Sequence, residues 1–254
     1  MIRNTEAYVV LRKHSQQMLD FAVLVCTAAP QLKHALNTHS VDPTAFVATN
    51  SNFPPSNVPY STEKRSLNGY TTVLGANLLL SVFSYFETFF FATFDEIIDF
   101  HGGEKIIERT IAKQFSQPVQ KEISAAISAL RVPYKSERAD RYRKFSTELK
   151  GKSILWPSQR FMLYGLKQAV TQRKRWKAVD IPNLANDLFG ADLTADEQAR
   201  IHAIRDERNK IAHGKNLSYD LRKAVDASYF LRSMALKIDA QVVKNFLMIE
   251  RYAH

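Results

Sequence analysis

Apolar residues recur every three or four positions along most of the chain, a spacing typical of helices that bury one face. The first forty residues follow this pattern and predict a helix that Pro30 interrupts, or that gives way there to a second short helix. The apolar positions of this segment are Val9, Val10, Leu19, Phe21, Val23 and Leu24. Glycine and proline, which disfavour helix interiors, number only 8 and 9 among 254 residues. These features predict an all-α helical bundle.

Residues 40–70 depart from this spacing. They are rich in Pro, Ser, Asn and Thr, which favours a long loop excursion from the bundle. A loop of this length is unusual within a compact domain and is often functional. We interpret residues 1–254 as a single domain that carries this loop and, at about 104–178, a basic helical insert.

The most hydrophobic element covers roughly residues 75–100, with apolar residues on nearly all sides, and ends at His101-Gly102-Gly103. This pattern predicts the central helix of the bundle or a subunit interface. The overlapping segment 66–86 has no charged residue and is nominally long enough to span a membrane. Its first half is polar and contains glycine, and acidic residues follow it, so we expect a buried helix and no membrane partner.

Glu87 lies in the middle of this apolar surface. An unpaired buried carboxylate is very costly, so Glu87 should have a cationic partner. Two interpretations remain open: Glu87 forms a structural salt bridge, or it orients a catalytic cation.

The insert alternates cations with aromatic residues. Helices are predicted over 104–116, 118–131 and 136–150, and a further segment from Ser158 ends in TQRKRWKAV. The candidate RNA-binding residues are Arg143, Lys144, Arg173, Lys174, Arg175 and Trp176. Cations with aromatics among them suit phosphate contacts combined with base stacking. The alternative is a pair of solvated helix faces whose long side chains cover apolar surface.

The last third of the sequence predicts an αα-hairpin. Thr194 and Glu197 have the spacing of a capping box, and the helix that they begin should stop at Gly214. A final helix should follow with Ser218 as its N-cap. Its core-facing positions are Val225, Leu231, Ala235, Ile238 and Val242.

The first helix of this hairpin carries an arginine in its apolar stripe. At about 100° per residue, Ile201, Ile204 and Ile211 share one stripe and Arg208 falls inside it. A guanidinium is costly there unless an anion, a carboxylate or a cleft receives it. A neighbouring polar stripe consists of His202, Arg205, Asn209 and His213. On a regular helix Arg208 and His213 point about 140° apart, so they converge only if the helix end bends or a second copy completes the site.

Charge and cysteine content narrow the classes of partner and compartment. The formal net charge of +10 attracts polyanions, with nucleic acid the first candidate and an anionic membrane surface the second. Cys26 is the only cysteine, so an internal disulfide is impossible and a reducing cytoplasm is expected. We find no signal peptide in the N-terminal residues. His34 and His39 are too isolated for a metal site, and we expect neither metal nor cofactor.

The run Arg208-Asn209-Lys210-Ile211-Ala212-His213-Gly214 resembles the signature of the HEPN superfamily (higher eukaryotes and prokaryotes nucleotide-binding). In that signature an Arg, usually followed by a polar residue, precedes a His by a few positions. The resemblance is specific over about residues 193–240, and the acidic residue of an early helix matches Glu87. Stand-alone bacterial members, including those resembling the RiboL-PSP group, fit best.

This resemblance implies a helical bundle that dimerises through the motif helices and cleaves RNA without a metal ion. His213 would act as general base or acid, since imidazole exchanges protons near neutral pH. Arg208 would stabilise charge on the phosphorane, Asn209 would orient His213 or a phosphate oxygen, and Glu87 and Arg205 would support them. The expected product is a 2′,3′-cyclic phosphate.

The implied role is a cytoplasmic toxin or anti-phage effector, controlled by an antitoxin or another regulatory partner protein. Two alternatives remain. One is a non-catalytic RNA- or nucleotide-binding module, and the other is a structural dimerising subunit of a larger assembly.

Overall fold

The computed structural model describes residues 4–44, 52, 60–100, 103, 105, 172, 175–215 and 218–247. Over these residues the regular secondary structure is helical, which confirms the predicted all-α class. The helices are α1 Glu6–Val41, α2 Ser61–Leu67, α3 Tyr70–Phe100, α4 Ile181–Phe189, α5 Ala195–Ala212 and α6 Leu221–Val242, followed by a π-helical turn at Val243–Leu247.

The chain divides into two compact units, residues 1–97 with 177–254 and residues 98–176. The second unit coincides closely with the predicted basic insert. The helices predicted over 104–150 lie outside the described residues, and so do Arg143, Lys144, Arg173 and Lys174. Helices α1 to α6 belong to the first unit, apart from the last three residues of α3.

Four long helices of this unit form a ring in the order α1, α3, α5, α6. Helix α1 contacts α3 through Tyr8–Phe89 and His14–Tyr85, and it contacts α6 through Thr5–Asp239 and Gln16–Arg232. Helix α5 contacts α6 through Glu197–Lys237 and Arg200–Phe230. The pair Arg208–Glu87 joins α5 to α3 and completes the ring. In the three pairs with two such contacts, residue numbers rise along one helix as they fall along its neighbour, and this fixes α3 and α5 as antiparallel too. The unit is therefore an up-down-up-down four-helix bundle.

Helix α3 supplies much of the core, as its apolar composition predicts. Its fully buried side chains include Leu78, Leu79, Phe83, Phe86 and Phe90, each 0% exposed. Among the described helices it is the one long and apolar enough to cross a membrane, and 56% of its most apolar window is buried inside the protein. It begins at Tyr70 rather than near residue 75 and ends at Phe100. The stop is as predicted: Gly103 has φ 89°, and its N–H donates to the Ile98 carbonyl oxygen at 2.9 Å.

Helix α1 differs from its prediction in two respects. Pro30 does not interrupt it, because residues on both sides of the proline, Ala29 and Leu36, are anchored in the core at 8% and 1% exposure. Half of its eight buried residues are also small, namely Ala7, Ser15, Ala22 and Ala29, and hydrophobicity alone does not reveal them. Of the six apolar positions singled out, Leu19 is buried, whereas Val9, Val10, Phe21, Val23 and Leu24 are 39–66% exposed.

The predicted loop at 40–70 is shorter than expected. Helix α1 continues to Val41, and α2 occupies Ser61–Leu67 before α3 begins. Between α1 and α2 the structure describes only residues 42–44, 52 and 60. Helix α2 packs on α1 through a hydrogen bond from Lys64 Nζ to Ser40 Oγ at 3.0 Å.

Helix α4 was not predicted, although its sequence carries helix boundary signals. Pro182 stands in its first turn, and Gly190 ends it with φ 65°. Phe189 places this helix against the core, with its ring centroid 5.5 Å from that of Phe90 and 6.3 Å from that of Phe94.

Gly75 allows α3 to approach the segment that leads into α6. A Cβ at Gly75 would overlap the Tyr219 carbonyl oxygen and lie 2.9 Å from the Leu221 nitrogen. The same segment is held by a hydrogen bond from Tyr219 N to the Thr72 carbonyl oxygen at 3.1 Å.

We expect Gly75→Ala to lower the free energy of unfolding by about 1–2 kcal/mol, because overpacking outweighs the roughly 1 kcal/mol gain in helix propensity. Gly69→Ala is the matched control, since its Cβ would meet only Thr72 Oγ1, at 3.9 Å. Urea unfolding of both variants measures the difference. A Gly75→Ala protein as stable as the wild type would contradict the close approach described here.

Candidate functional site

Helix α5 carries the Arg-Asn-x-x-x-His motif, and its start is fixed by the predicted capping box. Thr194 Oγ1 accepts a hydrogen bond from Glu197 N at 3.2 Å, and Glu197 Oε2 accepts one from Thr194 N at 2.8 Å. Lys237 of α6 donates to the same carboxylate at 2.9 Å. The bonds from Lys237 and from the Thr194 backbone lower the pKa of Glu197. The register of α5 against α6 is therefore set at the end of α5 remote from the motif.

The other end of α5 is also determined by the sequence. The helix ends at Ala212, His213 is its C-cap, and Gly214 has φ 69°, as the predicted glycine stop requires. Lys215 N donates to the Lys210 carbonyl oxygen at 2.8 Å and closes the last turn. His213 is exposed.

The predicted cap of the following helix is wrong by two residues. Asp220 rather than Ser218 is the N-cap of α6, since Asp220 Oδ1 accepts a hydrogen bond from Lys223 N at 2.9 Å. Four of the five predicted core positions of α6, Leu231, Ala235, Ile238 and Val242, are buried. Val225 is half-buried.

Arg208 lies within the apolar stripe of α5, as predicted. Ile201, Ile204 and Ile211 are 1–7% exposed around it. Its guanidinium faces α3, with Nη2 3.8 Å from Glu87 Oε2 and 3.5 Å from Ser84 Oγ. The carboxylate and the guanidinium therefore meet across the α3–α5 contact. Arg208 is the cationic partner that the position of Glu87 predicts.

The Arg208–Glu87 pair is loose and partly exposed. Charge-assisted hydrogen bonds have N···O distances near 2.8 Å, well below the 3.8 Å of this pair. The side chains of Arg208 and Glu87 are 26% and 30% exposed, so Glu87 is paired but only partly buried. Solvent screens such a pair, and its contribution to stability is small. The contact orients the guanidinium and leaves part of it exposed to solvent.

Two further contacts fix the position of Arg208. Its Cζ lies 5.7 Å from the centroid of the Phe83 ring, and its Nη1 donates to Asn209 Oδ1 at 3.1 Å. Its Nε is buried and makes no hydrogen bond within the described part of the chain. Asn209 thus contacts Arg208, whereas the sequence suggested His213 or a phosphate oxygen as its partner.

The side chain of His213 projects from the end of the same helix in another direction than that of Arg208. Its backbone N–H still donates to the Asn209 carbonyl oxygen at 3.0 Å, so helical hydrogen bonding continues up to this residue. No bend separates it from Arg208, and the two side chains project about 140° apart. Within one chain, the helix end therefore does not bring the two side chains together.

Arg205 is engaged by its neighbours on α5. Its Nε and Nη2 donate to Asp206 Oδ1 at 3.1 and 2.7 Å, and its Nη1 lies 3.2 Å from His202 Nδ1. Of the two predicted supporting residues, Glu87 therefore contacts Arg208, whereas Arg205 contacts Asp206 and His202. Of the proposed RNA-binding residues within the described chain, Arg175 is exposed and Trp176 is half-buried, and both belong to the second unit.

Sequence reasoning missed Phe83 and Ser84 as parts of this site. Both precede Glu87 by about one helical turn, at spacings of four and three residues, and so share its face of α3. This spacing is the feature of the sequence from which their place beside Glu87 could have been predicted.

Within the described residues, no group of three or more His, Cys, Asp and Glu side chains is arranged to hold a metal ion. We compared the chain with protein-family models, with curated proteins and with solved structures, and none of these comparisons found a match. A functional interpretation therefore depends on the geometry of Arg208, Glu87 and His213 and on the sequence motif.

Proposed function

We propose that this chain is an endoribonuclease that cleaves RNA by attack of a ribose 2′-hydroxyl on the adjacent phosphorus. The observation that carries the proposal is the placement of Arg208. Its guanidinium occupies a position where the helix pattern calls for a hydrophobe, and side chains of α3 hold it there while part of it stays exposed to solvent. His213, which can exchange protons, lies at the exposed end of the same helix.

Arg208 suits the stabilisation of a phosphorane. Negative charge accumulates on the nonbridging oxygens as the 2′-oxygen attacks, and a planar guanidinium donates two parallel hydrogen bonds to such oxygens. A donor already in place needs no reorganisation when this charge develops. Glu87, Ser84 and Phe83 supply that positioning from α3.

His213 supplies proton transfer. It takes the proton of the 2′-hydroxyl as the O2′–P bond forms, or gives a proton to the 5′-oxygen as the P–O5′ bond breaks. The products are a 2′,3′-cyclic phosphate on one fragment and a 5′-hydroxyl on the other. The attacking oxygen belongs to the RNA, so this route uses no metal-activated water.

The proposal includes a homodimer. Arg208 and His213 project in different directions from one helix, so one phosphodiester meets both groups when two copies of α5 lie side by side. We further propose a cytoplasmic toxin or anti-phage effector restrained by a regulatory partner protein, in line with the resemblance of the motif. The gene beside this one is the first candidate for that partner.

The direct test is incubation of the purified protein with total RNA in EDTA, followed by mapping of the fragment ends by mass spectrometry. We expect 2′,3′-cyclic phosphate ends from the wild type and a rate lowered at least about 100-fold by His213→Ala, the usual scale for losing a general acid or base. His202→Ala is the matched control, because His202 is on the same helix and contacts Arg205 instead.

Cleavage that persists in His213→Ala, or fragments that end in 3′-hydroxyl and 5′-phosphate groups, would overturn the proposal. RNA that binds without being cut by the wild type would instead support a non-catalytic binding module. A protein that neither binds nor cuts RNA but dimerises would support a structural subunit.

A further inference from the structure

Helices α1 and α6 line an open groove of about 450 Å³. The lining residues are Val9, Arg12, Lys13, Gln16, Gln17 and Arg232. In the ring order α1, α3, α5, α6, the α1–α6 groove is across the bundle from the α3–α5 contact that holds Arg208. The groove is therefore a separate surface from the proposed cleavage site.

Three cations surround the groove. Arg12 and Lys13 are exposed on α1, and Arg232 is half-buried on α6. Among the described residues none of the three forms an ion pair with a carboxylate. Three like charges at one concave surface repel each other and raise the local positive potential, which an anionic ligand relieves.

A neutral side chain fixes the deepest of these cations. Gln16 Oε1 accepts a hydrogen bond from Arg232 Nη1 at 3.3 Å, while Gln16 Nε2 donates to Asp20 Oδ1 at 2.9 Å. The amide is thus oriented from both ends. Asp20 is bound to the amide rather than to the guanidinium, and no carboxylate among the described residues lies within ion-pair distance of Arg232.

We infer that this groove binds phosphate groups, as a ligand carrying at least two of them. Two arginines and a lysine match the charge of two or more phosphates, and Arg binds such oxygens with paired hydrogen bonds. The volume lies within the range of small-molecule sites, and the amides of Gln16 and Gln17 offer further donors and acceptors. Consecutive phosphates of an RNA strand and the polyphosphate of a nucleotide share this chemistry. The inference does not depend on Arg208 or His213 being catalytic.

The test uses the full chain with the double substitution Arg12→Gln and Lys13→Gln, both at exposed positions where folding is preserved. The matched control is Lys33→Gln with Arg65→Gln, which removes the same charge from exposed positions of α1 and α2. Lys33 is 21 residues along α1 from Arg12, a separation of about 30 Å of helix. Binding of inorganic triphosphate and of a short 2′-O-methyl RNA, which the protein cannot cleave, is measured by calorimetry at low ionic strength.

We expect the groove variant to weaken phosphate binding by about tenfold or more, and the control by about twofold or less. Loss for both probes supports a site that takes free polyphosphate as well as RNA, and loss for RNA alone supports an RNA backbone site. Equal losses in both variants, or a wild type that binds neither probe, would overturn the inference. Failure of the proposed cleavage is a distinct result, since both probes report binding without any reaction.

Discussion

A mixture of Arg208→Ala and His213→Ala chains is expected to cleave RNA at about a quarter of the wild-type rate, although each variant alone is inactive. The reason is the divergence of the two side chains on a helix that stays regular from Arg208 to His213. If each reaction centre takes Arg208 from one copy and His213 from the other, a mixed dimer contains one intact pair and one doubly defective pair.

Random association makes about half of the dimers mixed, and each mixed dimer retains one of two reaction centres, which gives the quarter. Co-expression of the two variants with different affinity tags allows the mixed dimer to be isolated and assayed on its own. Its rate should then be about half that of the wild type.

The control mixture combines Arg208→Ala with a chain that carries both substitutions, because this pair cannot assemble an intact centre. An inactive mixed dimer of the two single variants would show that one chain supplies both groups. The dimeric part of the proposal would then be wrong, even if wild-type cleavage is observed.

The second large effect is expected on stability. Asp239 of α6 is 0% exposed and receives the N-terminal end of α1. Its carboxylate accepts hydrogen bonds from Thr5 N at 3.0 Å, from Asn4 Nδ2 at 2.8 Å and from the Thr5 hydroxyl. The same hydroxyl accepts a bond from Tyr8 N at 3.1 Å, so Thr5 both caps α1 and joins it to α6.

We expect Asp239→Ala to lower the free energy of unfolding by about 4 kcal/mol, since it removes charge-assisted bonds and leaves buried donors unsatisfied. Glu96→Ala is the matched comparison. Glu96 of α3 accepts bonds from Glu6 N and Ala7 N of the same helix end at 3.0 and 3.1 Å, but it is only half-buried. Its loss should cost about 1 kcal/mol.

Chemical denaturation of both variants measures the difference. Losses of equal size would show that burial adds nothing to the Asp239 contacts, contrary to this prediction. A small loss for Asp239→Ala would mean that water replaces the carboxylate at Thr5.

The features that sequence predicted well are those that local spacing determines. The Thr194–Glu197 capping box and the stop at Gly214 involve neighbours on one helix, and the apolar stripe around Arg208 follows from helical periodicity. The sequence also predicts that Glu87 needs a cation and that Arg208 needs an anion, a carboxylate or a cleft, but only the structure shows that the two residues meet.

The features that sequence missed depend on packing between distant segments. Small residues bury one face of α1 and leave Phe21 and Leu24 in solvent, at 51% and 63% exposure, because α6 approaches the other side. The same approach of α6 to α1 creates the groove around Arg232. The sequence near Arg12 does not predict this groove, because Arg232 comes from a distant segment. Ser218 and Asp220 are both good caps, and only the backbone at the start of α6 decides between them.

The contact between Thr5 and Asp239 joins positions 234 residues apart. During synthesis the ribosome must therefore release the chain through Asp239 before the ring of helices can close, and apolar side chains of α3 stay exposed until then. Nascent chains are vulnerable to aggregation over this interval, and a chaperone that shields α3 would protect them. A translation product that ends before Asp239 cannot make this contact.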